Sequence, residues 1–195
     1  ARFVTQSKLA KPKLAFNWDG GPPEMCVIGA TGDYNLEINI KGIASHAGAH
    51  PEDGVNAAAI ASLAIADLVR GGWQGLITKG RNAGTSNIGA IQGGEATNVV
   101  MPNLRLTAEA RSHDPKFRKR IVNEIEKAFK NAAKELTNVA GQRGTVTIKS
   151  DLKYESFKID PKSECVLAAQ TAIESLGLKP TLTICNGGLD ANWLT

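Results

Sequence analysis

From Tyr34 the chain alternates strictly. Tyr34, Leu36, Ile38 and Ile40 are apolar, while Asn35, Glu37, Asn39 and Lys41 between them are polar. A period of two over eight residues predicts a strand with one buried face. Residues 54–70 change period: the segment is rich in alanine, with Val55, Ile60, Leu63 and Leu68 as its larger apolar members. It predicts a helix stopped by Gly71-Gly72. A loop with Trp73 and Arg81-Asn82-Ala83-Gly84 leads to a second strand near residues 85–91, and Gly93-Gly94 turns the chain. Leu104, Leu106, Ala108 and Ala110 then alternate with Arg105, Thr107, Glu109 and Arg111, which predicts a third strand. Asp114-Pro115 starts a second helix, a capping side chain followed by proline at the first helical position. Phe117, Ile121, Ile125, Ala128, Phe129, Ala132 and Leu136 follow at helical spacing, with lysines and glutamates opposite. A fourth strand over 146–154 carries Val146, Ile148, Leu152 and Tyr154 on one face. The order βαββαβ predicts an α/β (α+β) fold of ferredoxin-like type over residues 32–156, two helices on one face of an antiparallel sheet.

The flanks have a different character. Residues 1–31 read as a helix tail, a short strand at 14–18 and the turn-rich run Asp19-Gly20-Gly21-Pro22-Pro23. After residue 156, Asp160-Pro161 caps a helix that runs through Leu176 to a stop at Gly177. A short strand at 182–185 follows, then a glycine-rich loop from Asn186 that enters another helix. The sequence stops a turn into that helix, and so few helical residues cannot bury a face. Residues 1–31 and 157–195 are therefore expected to be pieces of a second domain into which 32–156 is inserted.

Composition narrows the classes. The 195 residues suffice for a real core, and 42% apolar with 22% charged residues is ordinary for a globular protein. No apolar run is long enough to span a bilayer, and no charged-then-apolar leader is seen at Ala1, so no membrane partner is expected. The net charge of +4 is spread out apart from Lys116–Arg120, which argues against nucleic acid as a partner. Cys26, Cys165 and Cys185 are odd in number and lack metal-ligand spacing, the pattern of buried, reduced thiols in a cytoplasmic protein.

Candidate chemistry gathers where the first strand stops. Residues 42–58 read GIASHAGAHPEDGVNAA, with two histidines, three glycines and a proline between a strand and a helix. Gly48 permits a positive φ, and Pro51 drives His50 towards an extended backbone. A loop held this tightly is a candidate for presenting His46. The spacing of His46 and His50 would suit a zinc pair on a helix, but Gly48 and Pro51 argue against one, and either ring could simply bond to backbone. Asp19, before two glycines, suits metal ligation, although turn aspartates commonly bond their own backbone. Arg111 closes the third strand on its polar face, a position for a bidentate grip on a carboxylate or for a plain surface arginine. Asn98 sits in a polar loop after Gly93-Gly94-Glu95-Ala96-Thr97 and reads equally as a turn residue.

Taken together, these residues resemble the di-zinc exopeptidase and deacylase family that includes glutamate carboxypeptidase, peptidase T and acetylornithine deacetylase. Ser45-His46-Ala47-Gly48 and Gly54-Val55-Asn56-Ala57 match one family signature; Gly93, Gly94, Asn98, Pro102 and Arg111 match a second. Asp19-Gly20-Gly21 looks like a metal-binding carboxylate of the catalytic domain, most like the peptidase T branch, and Gly187-Gly188-Leu189-Asp190-Ala191 like a glycine-rich turn at the active-site edge. The resemblance implies that 32–156 is the dimerisation (lid) domain and that 1–31 and 157–195 belong to the catalytic domain. It implies a homodimer, a peptide or acyl-amino-acid substrate, and two zinc ions in a full-length parent, with Asp19 ligating one of them. His46 would bond the developing oxyanion in the neighbouring subunit's site; Asn98 and Arg111 would bind substrate, Arg111 through its terminal carboxylate. The family's His-x-Asp motif, bridging aspartate, Glu-Glu pair and late zinc histidine have no counterparts here, so this chain alone is expected to bind no zinc and to be inactive. A non-catalytic dimerisation or ligand-binding module of the same fold is the alternative. An RNA-binding domain shares the strand order, but the central strands carry Leu104, Leu106, Ile88 and Ile91 and no aromatic residue on which a base could stack.

Overall fold

The computed structural model describes residues 13–194. The helix tail expected at the start of the chain falls mainly in residues 1–12, outside the described residues. The strand expected at 14–18 does not form: Phe16 is half exposed, Trp18 is 91% exposed, and none of the described residues pairs with them. The first strand is instead β1, Met25–Ala30, which pairs in parallel with β8, Thr181–Cys185, and antiparallel with β7, Phe157–Lys158. Helix α3, Glu164–Ser175, joins β7 to β8. It starts after Ser163 rather than at Asp160-Pro161, because Asp160 Oδ1 accepts from Lys162 N and closes a turn first.

The larger unit holds strands β2 (Gly32–Lys41), β3 (Gly75–Lys79), β4 (Asn82–Gly93), β5 (Asn103–Ser112) and β6 (Thr145–Tyr154). Helix α1 (Ala57–Arg70) follows β2, and α2 (Pro115–Glu135) follows β5. The sheet order is β3-β4-β5-β2-β6. The expected four-stranded arrangement is present with one strand added. β3 occupies what reads as loop, because its partner among the described residues is the start of β4, which it reaches through a turn at Gly80, where φ is +64°. Helix α1 begins three residues later than its apolar pattern suggests. Asn56 Oδ1 accepts from the amides of Ala58 and Ala59, while Val55 pairs with Ile43 outside the helix.

One apolar cluster holds this unit together. Leu36, Ile38 and Ile40 of β2 and Leu104, Leu106 and Ala108 of β5 face Ile60, Ala64 and Leu68 of α1 and Phe117, Ile121, Ile125 and Phe129 of α2. The alanines of α1 let it sit close to the sheet and α2. With both helices on one face, the other face stays open, and the polar residues of β2 and β5 line it.

The chain crosses between the two sheets twice, at Thr31 and at residues 155–156. Asn192, in the 3-10 turn Asp190–Trp193 that replaces the expected terminal helix, clamps both crossings: its Nδ2 donates to Thr31 O (3.1 Å) and Glu155 O (2.7 Å). Arg118, 1% exposed, donates to Glu155 Oε2 at 2.6 Å and to Ser112 O at 3.3 Å. Gly32 leaves room for that guanidinium, which a Cβ there would overlap.

Candidate functional site

The loop after β2 is tied to itself and to a second loop. Ser45 Oγ donates to His50 O, and the amides of Ala49 and His50 donate to His46 O. His46 forms a bridge with Val99; Ala47 N donates to Asn98 O (2.8 Å), and Val100 N to Ser45 O (2.9 Å). His46 and Asn98 are therefore brought to the same end of the sheet, both exposed.

The orientation of the His46 ring is set by backbone. Its Nδ1 accepts from Gly48 N at 3.2 Å and from Ala49 N at 3.1 Å. Two donors on Nδ1 leave the neutral ring with its proton on Nε2, so the outward nitrogen is a hydrogen-bond donor. Gly48 does not use a positive φ; what it contributes is a close amide. Pro51 opens the one-turn 3-10 segment Pro51–Asp53, so His46 and His50 do not share a helix face.

Arg111 lies at the other end of the sheet. It pairs with Asp33 of β2 and Thr85 of β4, whereas Lys41 at the histidine end of β2 pairs with Asn103. Eight residues of strand separate Asn103 from Arg111, roughly 26 Å. Asn98 and Arg111 therefore cannot grip one small ligand within a single copy.

Around Arg111 is a cluster that the sequence analysis did not single out. Arg111 Nη2 donates to Glu109 Oε2 at 2.8 Å, and its Nε lies 3.8 Å from Asp33 Oδ1. Lys153 Nζ is 3.9 Å from Asp33 Oδ2. Asp33 is fully buried, and neither of its oxygens has a hydrogen-bond donor; Arg111 Nε is likewise without an acceptor. A register shift between Asp33 and Tyr34 places Tyr154 opposite Asp33 and Leu152 opposite Tyr34. Tyr154 thus leaves the apolar face expected for it and joins Asp33 on the open face, a bulge re-aiming a side chain. Its hydroxyl acts on Asp33 and helps hold that carboxyl down, although neither Asp33 oxygen has a donor within hydrogen-bond distance. Burial pushes the Asp33 carboxyl up, partly offset by the Arg111 charge; burial and then the Asp33 charge push the Tyr154 phenol up. Gly188 lies over Tyr154, whose hydroxyl fills the place a Cβ would take, and His113 Nε2 meets Asn186 Oδ1 at 3.1 Å. The loop at 186–188 is thereby fastened to the Arg111 end of the sheet. An open trough of about 420 Å³, lined by Asn35, Glu37, Asn87, Thr107, Glu109 and Asp151, runs along the open face to this cluster.

Asp19 is exposed, and its Oδ1 accepts from Gly20 N at 2.7 Å, a turn bond. Among the described residues no three His, Cys, Asp or Glu side chains come together in a way that could hold a metal ion. The described residues do not by themselves make a zinc centre.

Comparison with known proteins agrees with this architecture. The family model of the peptidase dimerisation domain matches residues 28–137. The chain is 32% identical over 166 residues to the protein YqjE of Bacillus subtilis (strain 168), covering 85% of this chain and 41% of that one. The crystal structure of the aminopeptidase PepT from Bacillus cereus ATCC 10987 superposes with a TM-score of 0.76 at 32% identity, covering 90% of this chain and 44% of that one. A tripeptidase from Staphylococcus aureus subsp. aureus Mu50 gives 0.76 at 33% identity, with 88% and 42% covered. The chain thus spans less than half the length of these relatives.

Proposed function

The chain belongs to the peptidase dimerisation domain family, and from that membership we propose that it is the lid, with two edges of the catalytic domain, of a zinc-dependent exopeptidase of the aminopeptidase (peptidase T-like) kind. Residues 32–156 are the lid; 1–31 and 157–195 belong to the catalytic domain. The separate sheet formed by β1, β7 and β8 supports that division. The substrate is a peptide or acyl-amino acid whose amide bond is hydrolysed, and this chain by itself is inactive. Zinc would supply a water of lowered pKa and polarise the scissile carbonyl. Asp19 is one ligand at most, so no step through the metal is derived from these residues.

The observation that carries the reading is the tie on His46. A ring locked by two backbone amides, exposed, with a proton on its free nitrogen, suits a donor aimed at an oxyanion. Arg111, at the far end of the same sheet, suits the substrate's terminal carboxylate. Because the two are so far apart, one substrate meets both only if His46 comes from a second copy. We place that copy against the β3–β4 edge. There β3 covers only residues 82–86 of β4, Leu76 is 80% exposed, Val69 of α1 is exposed as well, and among the described residues none pairs with 87–93 on that side. No helix among the described residues is long and apolar enough to cross a membrane. The free cysteines support a cytoplasmic location.

In the full-length enzyme, His46→Ala should lower kcat about 10²-fold or more with zinc content unchanged, the loss expected for one oxyanion donor. An unchanged kcat would sink the role. Arg111→Ala should mainly raise KM for substrates with a free carboxylate.

A further inference from the structure

Arg111 needs more than a strand to hold it. An arginine at a strand end has four rotatable bonds, and a planar grip on a carboxylate needs one orientation of the guanidinium. Two carboxylates contact this one, and they differ. Glu109 holds Nη2 from a partly exposed position, so water or a ligand carboxylate can replace it. Asp33 is sealed at the base of the cluster and faces the Nε edge, with Lys153 on its other oxygen. We propose that Asp33 is a positioning residue, a buried carboxylate that fixes the guanidinium plane of Arg111 so that its Nη edge is presented to the substrate's carboxylate. The proposal rests on the reading of Arg111 given above.

Two features of the site set Asp33 apart from an ordinary structural aspartate. A structural aspartate is buried with donors on its oxygens, because an unsatisfied buried carboxylate opposes folding. Asp33 has none, and Arg111 Nε is unsatisfied opposite it. A movement of under about 1 Å brings Nε into hydrogen-bond range of Oδ1. Such a bond would form when Nη2 releases Glu109 to take a ligand. Secondly, the bulge at Lys153 spends a ladder position to bring both Lys153 and Tyr154 over this carboxylate.

The test compares a peptide substrate with its C-terminal amide in the full-length enzyme. Asp33→Asn should raise KM for the free-carboxylate peptide about tenfold or more, with kcat and the amide's KM within about twofold. Thermal stability at pH 7 should not fall, whereas a structural role would lower it. An unchanged KM, an equal rise for both substrates, or a variant that fails to fold would each overturn the proposal. Arg111→Ala separates the two claims. If it leaves the preference for the free carboxylate intact, the reading of Arg111 fails; if it abolishes the preference while Asp33→Asn does not, only Asp33 fails. The wild-type pH profile gives a second measurement. Arg111 and Glu109 from β5 and Lys153 and Tyr154 from β6 face Asp33. As pH falls through its raised pKa, the KM ratio of acid to amide should rise before the substrate's own carboxyl titrates near about 3.5. A flat ratio over that range would contradict the assignment.

Discussion

At the residue scale, what a polar side chain costs the fold depends on what its atoms meet. His46 has its inner nitrogen satisfied by amides and its outer one free, so its orientation costs little to maintain. Asp33 has neither oxygen satisfied, and the site bears the cost. The folded pKa of Asp33 is raised above its unfolded value of about 3.9. The ionised form therefore opposes folding at pH above the folded pKa, and the penalty is relieved as pH falls through it. Asp33→Asn should gain most in melting temperature over wild type near pH 7 and lose that advantage at acid pH. A loss at pH 7 would mean that the ion pair with Arg111 outweighs burial. The sequence singles out His46, Asn98 and Arg111 as candidates because they sit in motifs with fixed spacing. Asp33 was not, since a polar residue at the start of an alternating strand looks like any solvent-facing one. Its burial depends on a bulge in β6, a strand about 120 residues away in sequence.

At the element scale, what was legible followed from local period. β2, β5 and α2 appear within a residue or two of where their patterns put them, because each has one apolar face and a clear start or stop. The elements that were missed are defined by distant partners. β1 exists because β8 runs parallel to it, and β3 because β4 folds back on it; neither has an alternating pattern of its own. The apolar run at 14–18 has the composition of a strand and no partner. Caps carry measurable weight: Asn56→Ala removes the acceptor for two α1 amides and should cost about 1 kcal/mol in denaturant unfolding. A value near zero would mean water replaces the cap. Gly188→Ala should displace Tyr154, because a Cβ there would overlap its hydroxyl. That shift should appear as altered tyrosine fluorescence and a higher KM for free-carboxylate substrates, with kcat kept; unchanged fluorescence and KM would show the loop yields instead.

At the scale of the whole molecule, the sheet acts as a ruler. It holds His46 and Asn98 at one end and Arg111 with its carboxylates at the other, with β2 and β5 in unbroken register between them. A site that needs both ends has to be built from two copies. On the proposed reading, the exposed β3–β4 edge is where the copies meet, so Leu76→Arg should shift the full-length protein towards monomer in sedimentation and reduce activity in parallel. A dimer that survives this change would put the interface elsewhere. About two zinc ions per full-length subunit are expected by mass spectrometry, and zinc absent from that form would favour a non-catalytic module of the same fold. If one site draws Arg111 from one subunit and His46 from the other, mixing two differently altered subunits restores it. Full-length His46→Ala and Arg111→Ala proteins, each impaired alone, are unfolded, mixed and refolded together. In the mixed dimer one site is doubly altered and the other has both native residues. The mixture should recover activity well above the sum of the two variants, towards about a quarter of wild type for random pairing. Activity no greater than that sum, from a mixture shown to contain mixed dimers, would contradict it.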